Sequence, residues 1–166
     1  MRYYVKDKSL VVTGDFDGLS TGIDGGRRRV SAVINHEVGR DFNEDDPVAY
    51  MGRVASKLGV ERPCFCFLTA VQMDNLCVVR DQQVTAFITA GISNPCHDPS
   101  VPGTINILLV VHGGMSEGAL AGAIITATEA KAKALFEMGF DFTGTTTDAV
   151  AVLSEELKTD VCGPIF

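Results

Sequence analysis

Four stretches of the chain join small residues to hydroxyl, amide or carboxylate side chains beside an apolar run: 20–26, 89–94, 103–106 and 143–148. Small residues let backbone N–H groups approach a ligand closely, and hydroxyls and amides add directional hydrogen bonds. Loops of this kind, converging on the ends of rigid strands, are where binding and catalytic sites usually sit. Each stretch alone reads equally well as a turn or cap, because Asp, Asn, Ser and Thr bond their own backbone. Four together, including the run Gly144-Thr145-Thr146-Thr147-Asp148, point to a site.

Asn106 interrupts the apolar run 105–111. A buried amide needs hydrogen-bond partners, so it either pins a neighbouring loop or points into a pocket. Glu129 lies one helical turn from Ile125, on the same side of a predicted helix. An inward position there would suit it to general-base work. Lys131 and Lys133 share that helix, and Lys133 reads as solvated.

Other chemistries lack their residues. No GxSxG, HExxH, phosphate-binding loop or dinucleotide-binding glycine motif occurs. His36, His97 and His112 lie far apart without helical metal-ligand spacing. The five cysteines form no CxxC pair and read as free, buried thiols. Cys96 and His97 are neighbours that point in different directions, so His97 reads as a surface-loop residue. Neither a metal nor a cofactor is expected. Acidic residues outnumber basic ones 21 to 14, for a net charge of −7, which argues against nucleic acid as a partner. The one basic cluster, Arg27, Arg28 and Arg29, is long enough to hold a single anionic group of a small ligand. Residues 1–8 are polar and charged, unlike a signal peptide, and no apolar run reaches the ~20 residues of a membrane span. A cytoplasmic protein is expected, with a homodimer as the default assembly.

The elements that must position these residues follow from periodicity. Residues 3–5 and 9–16 read as strands separated by a charged turn, followed by a Gly-rich loop over 17–26 and a strand over 29–35. Pro47 suits the first turn of a helix that runs to Leu58 with Val48, Met51, Val54, Ala55 and Leu58 on one face. Residues 64–71 read as a buried strand, 75–80 and 83–90 as a hairpin, and 104–111 as a strand in the sheet centre. Ser116 caps a long helix that ends near Met138 with Gly139 as its stop, and 148–153 is the last strand. The expectation is one α+β layered domain over 1–166, with a mostly antiparallel mixed sheet packed by one long and one shorter helix.

Several of these segments resemble the adenosylcobinamide amidohydrolases. Thr89-Ala90-Gly91-Ile92-Ser93-Asn94 is similar to that family's TAG-hydrophobic-SN signature, and Gly103-Thr104-Ile105-Asn106-Ile107 to its GTINI strand. Ala127-Thr128-Glu129-Ala130-Lys131 resembles its ATEAK helix segment, and Gly144-Thr145-Thr146-Thr147-Asp148-Ala149-Val150 its GT-x-TDAV run. Gly25-Gly26 and Asn35 resemble a Gly-Gly loop followed by a strand ending in Asn. Each motif is weak, but the ordered set covers most of the chain.

The resemblance implies an enzyme that cuts the amide joining aminopropanol to the corrin ring of adenosylcobinamide, releasing adenosylcobyric acid during vitamin B12 salvage. It implies Asp148 or Glu129 as base, with a threonine of the 145–147 run, Thr146 above all, as the nucleophile of a variant mechanism. Asn94, Asn106 and the backbone of 144–147 would orient the carbonyl and hold the oxyanion. Gly25, Gly26, Asn35, Ser93, Asn94, Thr104, Gly144, Thr145 and Thr147 would contact substrate. The alternative is a binding module for a corrinoid or another small ligand, in which the same loops bind and do not cut.

Overall fold

The computed structural model describes residues 1–92 and 103–155. Among them the chain forms one eight-stranded sheet and two α-helices. The strands are β1 (Arg2–Lys6), β2 (Ser9–Ser20), β3 (Gly26–Glu37), β4 (Cys64–Thr69), β5 (Cys77–Arg80), β6 (Val84–Gly91), β7 (Thr104–Val111) and β8 (Ala149–Glu155). The helices are α1 (Pro47–Leu58) and α2 (Glu117–Glu137). The sheet order is β4-β3-β2-β8-β7-β6-β5, with β1 paired to the first half of β2. The expected α+β class is the observed one. No helix among the described residues is long and apolar enough to cross a membrane.

Only β3/β4 and β7/β8 run parallel, and in each pair a helix fills the connection. Parallel neighbours need such a crossover, whereas the hairpin-linked pairs are antiparallel. The middle position belongs to β8 rather than β7, because β8 pairs β2 on one side and β7 on the other.

The stretch 17–26, expected as a loop, is half strand. β2 continues to Ser20 and β3 starts at Gly26, leaving 21–25 as the connection. Gly18 explains the misreading. A Cβ there would press on the Leu153 side chain and the Val152 carbonyl, so this glycine marks close strand packing, not a turn. A bulge between Thr13 and Phe16 bends β2 where its outer neighbour changes from β1 to β8.

The sheet curls until its two flanks face each other. The inner core joins Leu10, Val12, Phe16, Val33, Phe65, Phe67, Phe87, Leu108, Val110, Ala151 and Leu153. The outer faces are covered separately. α1 lays Met51, Val54, Ala55 and Leu58 on Val11, Ala32, Ile34, Cys64 and Cys66. α2 lays Leu120, Ala127 and Leu135 on Ile105, Ile107, Val150 and Val152. Burying side chains of this size stabilises the fold by about 1.5–3 kcal/mol each before entropy is counted. Val48, expected on the apolar face of α1, is 39% exposed in the first turn of the helix.

Both helices have the ends their sequences ask for. Asp46 accepts from the Ala49 N–H with Pro47 at the first position, and Gly59 closes α1 at φ 70°. Ser116 accepts from Ala119 N–H, and Gly139 follows α2 at φ 86°.

Candidate active site

Strand parity carries polar residues to one open end of the curled sheet. Asn35 shares the inner face of β3 with Val33, Thr89 that of β6 with Phe87, and Thr104 and Asn106 that of β7 with Leu108. They occupy the last inward positions before the apolar core gives way to a cavity of about 630 Å³. Its walls include Thr21 and Ile23 from the β2–β3 connection, Arg40 and Phe42 ahead of α1, Leu68 of β4, and the segment 146–149. A second cavity of about 540 Å³ shares Val38, Gly39, Arg40, Ala70 and Thr104 with the first.

Asp148, at the start of β8, organises one wall. Its Oδ1 accepts from Ile105 N–H at 2.9 Å and from Thr145 Oγ1 at 2.5 Å. Its Oδ2 accepts from Thr145 N–H at 3.0 Å and from Lys131 Nζ at 2.5 Å. These four donors fill a carboxylate's acceptor sites. The Lys131 and Asp148 side chains are only 11% and 10% exposed, so the ion pair is shielded from solvent. Gly144 makes this possible: a Cβ there would collide with Asp148 Oδ2 and Lys131 Nζ. Thr147 Oγ1 donates to the Gly103 carbonyl at 3.1 Å and lies 3.0 Å from Thr104 Oγ1, which ties the 144–148 turn to the start of β7. Thr146 is exposed and faces the cavity.

A second network crosses the curled sheet. Asn106 donates one amide hydrogen to the Leu68 carbonyl at 2.9 Å and the other to Asn35 Oδ1 at 3.0 Å. Asn35 in turn donates to Thr89 Oγ1 at 3.0 Å. All three side chains are buried. With both its hydrogens committed, Asn106 has none left for an oxyanion, so the donor role expected for it does not fit this arrangement.

Asn35, Thr104, Asn106, Thr145, Thr146, Thr147, Gly144 and Asp148 therefore gather around one cavity or directly behind its wall. Glu129 does not join them. It is exposed, as is Ile125 at 60%. The i, i+4 relation between them holds, but both lie across the helix from Ala127, about 200° away at 100° per residue. Lys131 occupies the inward position instead. It stands four residues after buried Ala127 and four before buried Leu135, so the spacing of the apolar residues already pointed to it. Gly25 and Gly26 also stay outside the cavity wall. They shape the β2–β3 connection, where a Cβ at Gly25 would strike the Ser20 carbonyl and Gly26 takes φ 100°. Ser93 and Asn94, with Cys96 and His97, lie outside the described residues.

The basic cluster is spent on the protein itself. Arg27 pairs with Asp17 and Glu117, Arg28 with Asp24, and Arg29 with Asp15. Cys64 and Cys66 are buried free thiols, their sulfurs 3.8 Å apart, while Cys77 is exposed. The hydrogen bond with Cys66 outweighs burial and brings the Cys64 thiol down to about 7, and the same contact with burial pushes Cys66 up.

The model of the adenosylcobinamide amidohydrolase family matches residues 2–165. The chain belongs to this family. It is 50% identical over 155 residues to the adenosylcobinamide amidohydrolase of Methanosarcina mazei, covering 93% of this chain and 78% of that protein. It is 31% identical to the adenosylcobinamide amidohydrolase of Halobacterium salinarum, covering 81% of this chain and 64% of the relative. An uncharacterised protein of Methanocaldococcus jannaschii is 30% identical, with 77% and 66% covered. No solved structure matches. Membership makes the chain one of a family of hydrolases that act on an amide bond.

Proposed function

We propose that the chain hydrolyses the amide between aminopropanol and the corrin side chain of adenosylcobinamide, giving adenosylcobyric acid and aminopropanol. The observation that carries this reading is Asp148, a shielded carboxylate on the wall of the larger cavity. Amide cleavage needs a proton acceptor for the attacking oxygen, donors for the oxyanion and a proton for the departing nitrogen.

In this reading the Thr145 hydroxyl turns away from Asp148 Oδ1, and a water that attacks the carbonyl carbon gives one proton to the acceptor so freed. The oxyanion takes hydrogen bonds from the Thr146 hydroxyl and from backbone N–H groups of 144–147 other than that of Thr145, which serves Asp148. The C–N bond then breaks as Asp148 returns the proton to nitrogen. The acid and amine so formed exchange one proton to leave as carboxylate and ammonium. Lys131 holds the carboxylate in position from the face away from substrate.

A second reading follows from the 2.5 Å hydrogen bond between Thr145 Oγ1 and Asp148 Oδ1. That is nucleophile–base distance, with Lys131 as the group that orients the base. Thr145 would attack first, and water would then release the acyl group.

The deciding experiment incubates purified protein with adenosylcobinamide and follows products by mass spectrometry. Release of aminopropanol and adenosylcobyric acid is expected. Retained, intact corrinoid would establish a binding module instead. Asp148→Asn is expected to lower turnover ~10²-fold or more. Thr145→Val separates the two routes: the water route keeps measurable turnover with no acyl-enzyme, whereas the nucleophile route loses it and shows a corrinoid acyl adduct on the wild-type protein.

A further inference from the structure

The orientation of Asn106 is fixed by its neighbours. The Leu68 carbonyl can only accept, so the group beside it must be the amide nitrogen of Asn106. That nitrogen also donates to Asn35 Oδ1, and because an amide nitrogen cannot accept, Asn35 must turn its oxygen to Asn106 and its nitrogen to Thr89 Oγ1. The Asn106 side chain therefore cannot turn over without breaking both of its bonds. What is left is its Oδ1, which has no hydrogen-bond partner among the described residues although Asn106 is only 2% exposed.

A buried acceptor without a donor is unfavourable, and native structures rarely keep one unless a ligand or another group completes it. Asn106 lines the larger cavity, with Thr104 beside it on β7 and Asp148 on the adjacent strand end. The carboxylate of Asp148 already receives four donors, so it offers no vacant acceptor to a resting substrate. A secondary amide brings one acceptor, its carbonyl oxygen, and one donor, its N–H.

We propose that Asn106 Oδ1 accepts the N–H of the amide that is cut, and so selects a secondary amide over an ester and sets the plane of the amide against Asp148. The inference rests on the hydrolase reading above and adds a residue that recognises the nitrogen side of the bond. The Asn35–Asn106–Thr89 chain is the device that fixes the orientation of this oxygen at the cavity wall, because the Asn106 nitrogen is used up in holding it.

The test compares adenosylcobinamide with its ester analogue, in which oxygen replaces the N–H, as a ratio of kcat/KM values. Taking that ratio for each variant relative to wild type cancels the ester's greater intrinsic reactivity. In Asn106→Ala and the volume-conserving Asn106→Leu, the amide is expected to lose about 10–100-fold relative to the ester. Thr89→Val, which loosens the network that fixes Asn106, is expected to shift the ratio in the same direction by a smaller factor. Equal losses for amide and ester at position 106 would overturn the proposal and leave Asn106 a structural residue. A measurement on wild-type protein alone guards against variants that fail to fold. A ketone analogue with CH₂ in place of N–H is expected to bind about 10-fold or more weakly than the amide, and equal affinity would also overturn it. Failure of the wild type to cleave either amide or ester sinks the hydrolase reading separately, and amide binding unaffected by N–H removal then sinks this one too.

Discussion

The molecule contains the same strand–helix–strand unit twice, and the two copies differ in what their helices bury. In β3–α1–β4 the residues the helix fully buries are all apolar, with Met51 and Ala55 essentially inaccessible, and the helix is capped at both ends. In β7–α2–β8 the helix carries Lys131 on its inward side and leaves Ile125, Phe136 and Met138 at 60, 54 and 67% exposed. The first unit puts its helix to packing and lends the cavity a backbone carbonyl, Asn35 behind the wall, and wall residues such as Arg40 and Phe42. The second holds the buried ion pair and most of the hydroxyls. A helix that must deliver a charge to a site gives up part of the apolar stripe that would otherwise anchor it, which is a common cost of function.

The sharpest way to break this comparison is to remove the charge. Lys131→Met leaves Asp148 buried without its cation, which costs about 3–5 kcal/mol, near the lower end because three uncharged donors remain. Urea unfolding measures it. The double variant Lys131→Met with Asp148→Asn should recover much of that stability and none of the activity. Recovery of activity would mean that the pair serves only the fold.

Met51→Ala in the other unit should cost about 2–5 kcal/mol through the cavity it leaves. Its effect on the kcat/KM of folded protein should be small beside that of Asp148→Asn. A matching loss of turnover would show that α1 does more than pack. Removing the α1 cap with Asp46→Ala should cost about 1 kcal/mol, visible as a lower denaturation midpoint.

The smallest expected effect is a pH dependence. His36 sits between Ser9 Oγ at 2.8 Å and Tyr50 Oη of α1 at 3.1 Å. Burial lowers its pKa, with Glu37 opposing and Lys8 and Lys57 adding to the shift. A histidine that is harder to protonate when folded makes the unfolded chain the better proton binder as pH falls below the ordinary histidine value of about 6.5. Stability should therefore decline from pH 7 toward 5 and recover as pH is raised. A slope unchanged in His36→Gln would assign the effect to other groups.

Much of this was legible in the chain itself. The apolar period of 47–58, Pro47 at the first turn, the cap at Ser116 and the stop at Gly139 are local signals, and local geometry obeyed them. The clustering of Thr104, Asn106 and 144–148 was visible as polar punctuation at strand ends. Glu129 and Lys131 show where such reading stops. The i, i+4 relation of Glu129 to Ile125 is true of any helix, but it does not say which face meets the sheet. That was decided by Leu120, Ala127 and Leu135, which together turn Lys131 inward.

Gly18 carries the same lesson for strands, since a glycine looks alike in a turn and under a packed leucine. The sequence by itself determined the elements, their ends and the set of polar residues available for chemistry, because hydrophobic period and capping act over a few residues. Only the tertiary structure decided that the sheet curls, bringing β4 against β7 so that Leu68 and Asn35 could lock Asn106 in one orientation. Those contacts join residues 38 and 71 positions apart, and no local preference encodes which pair will meet.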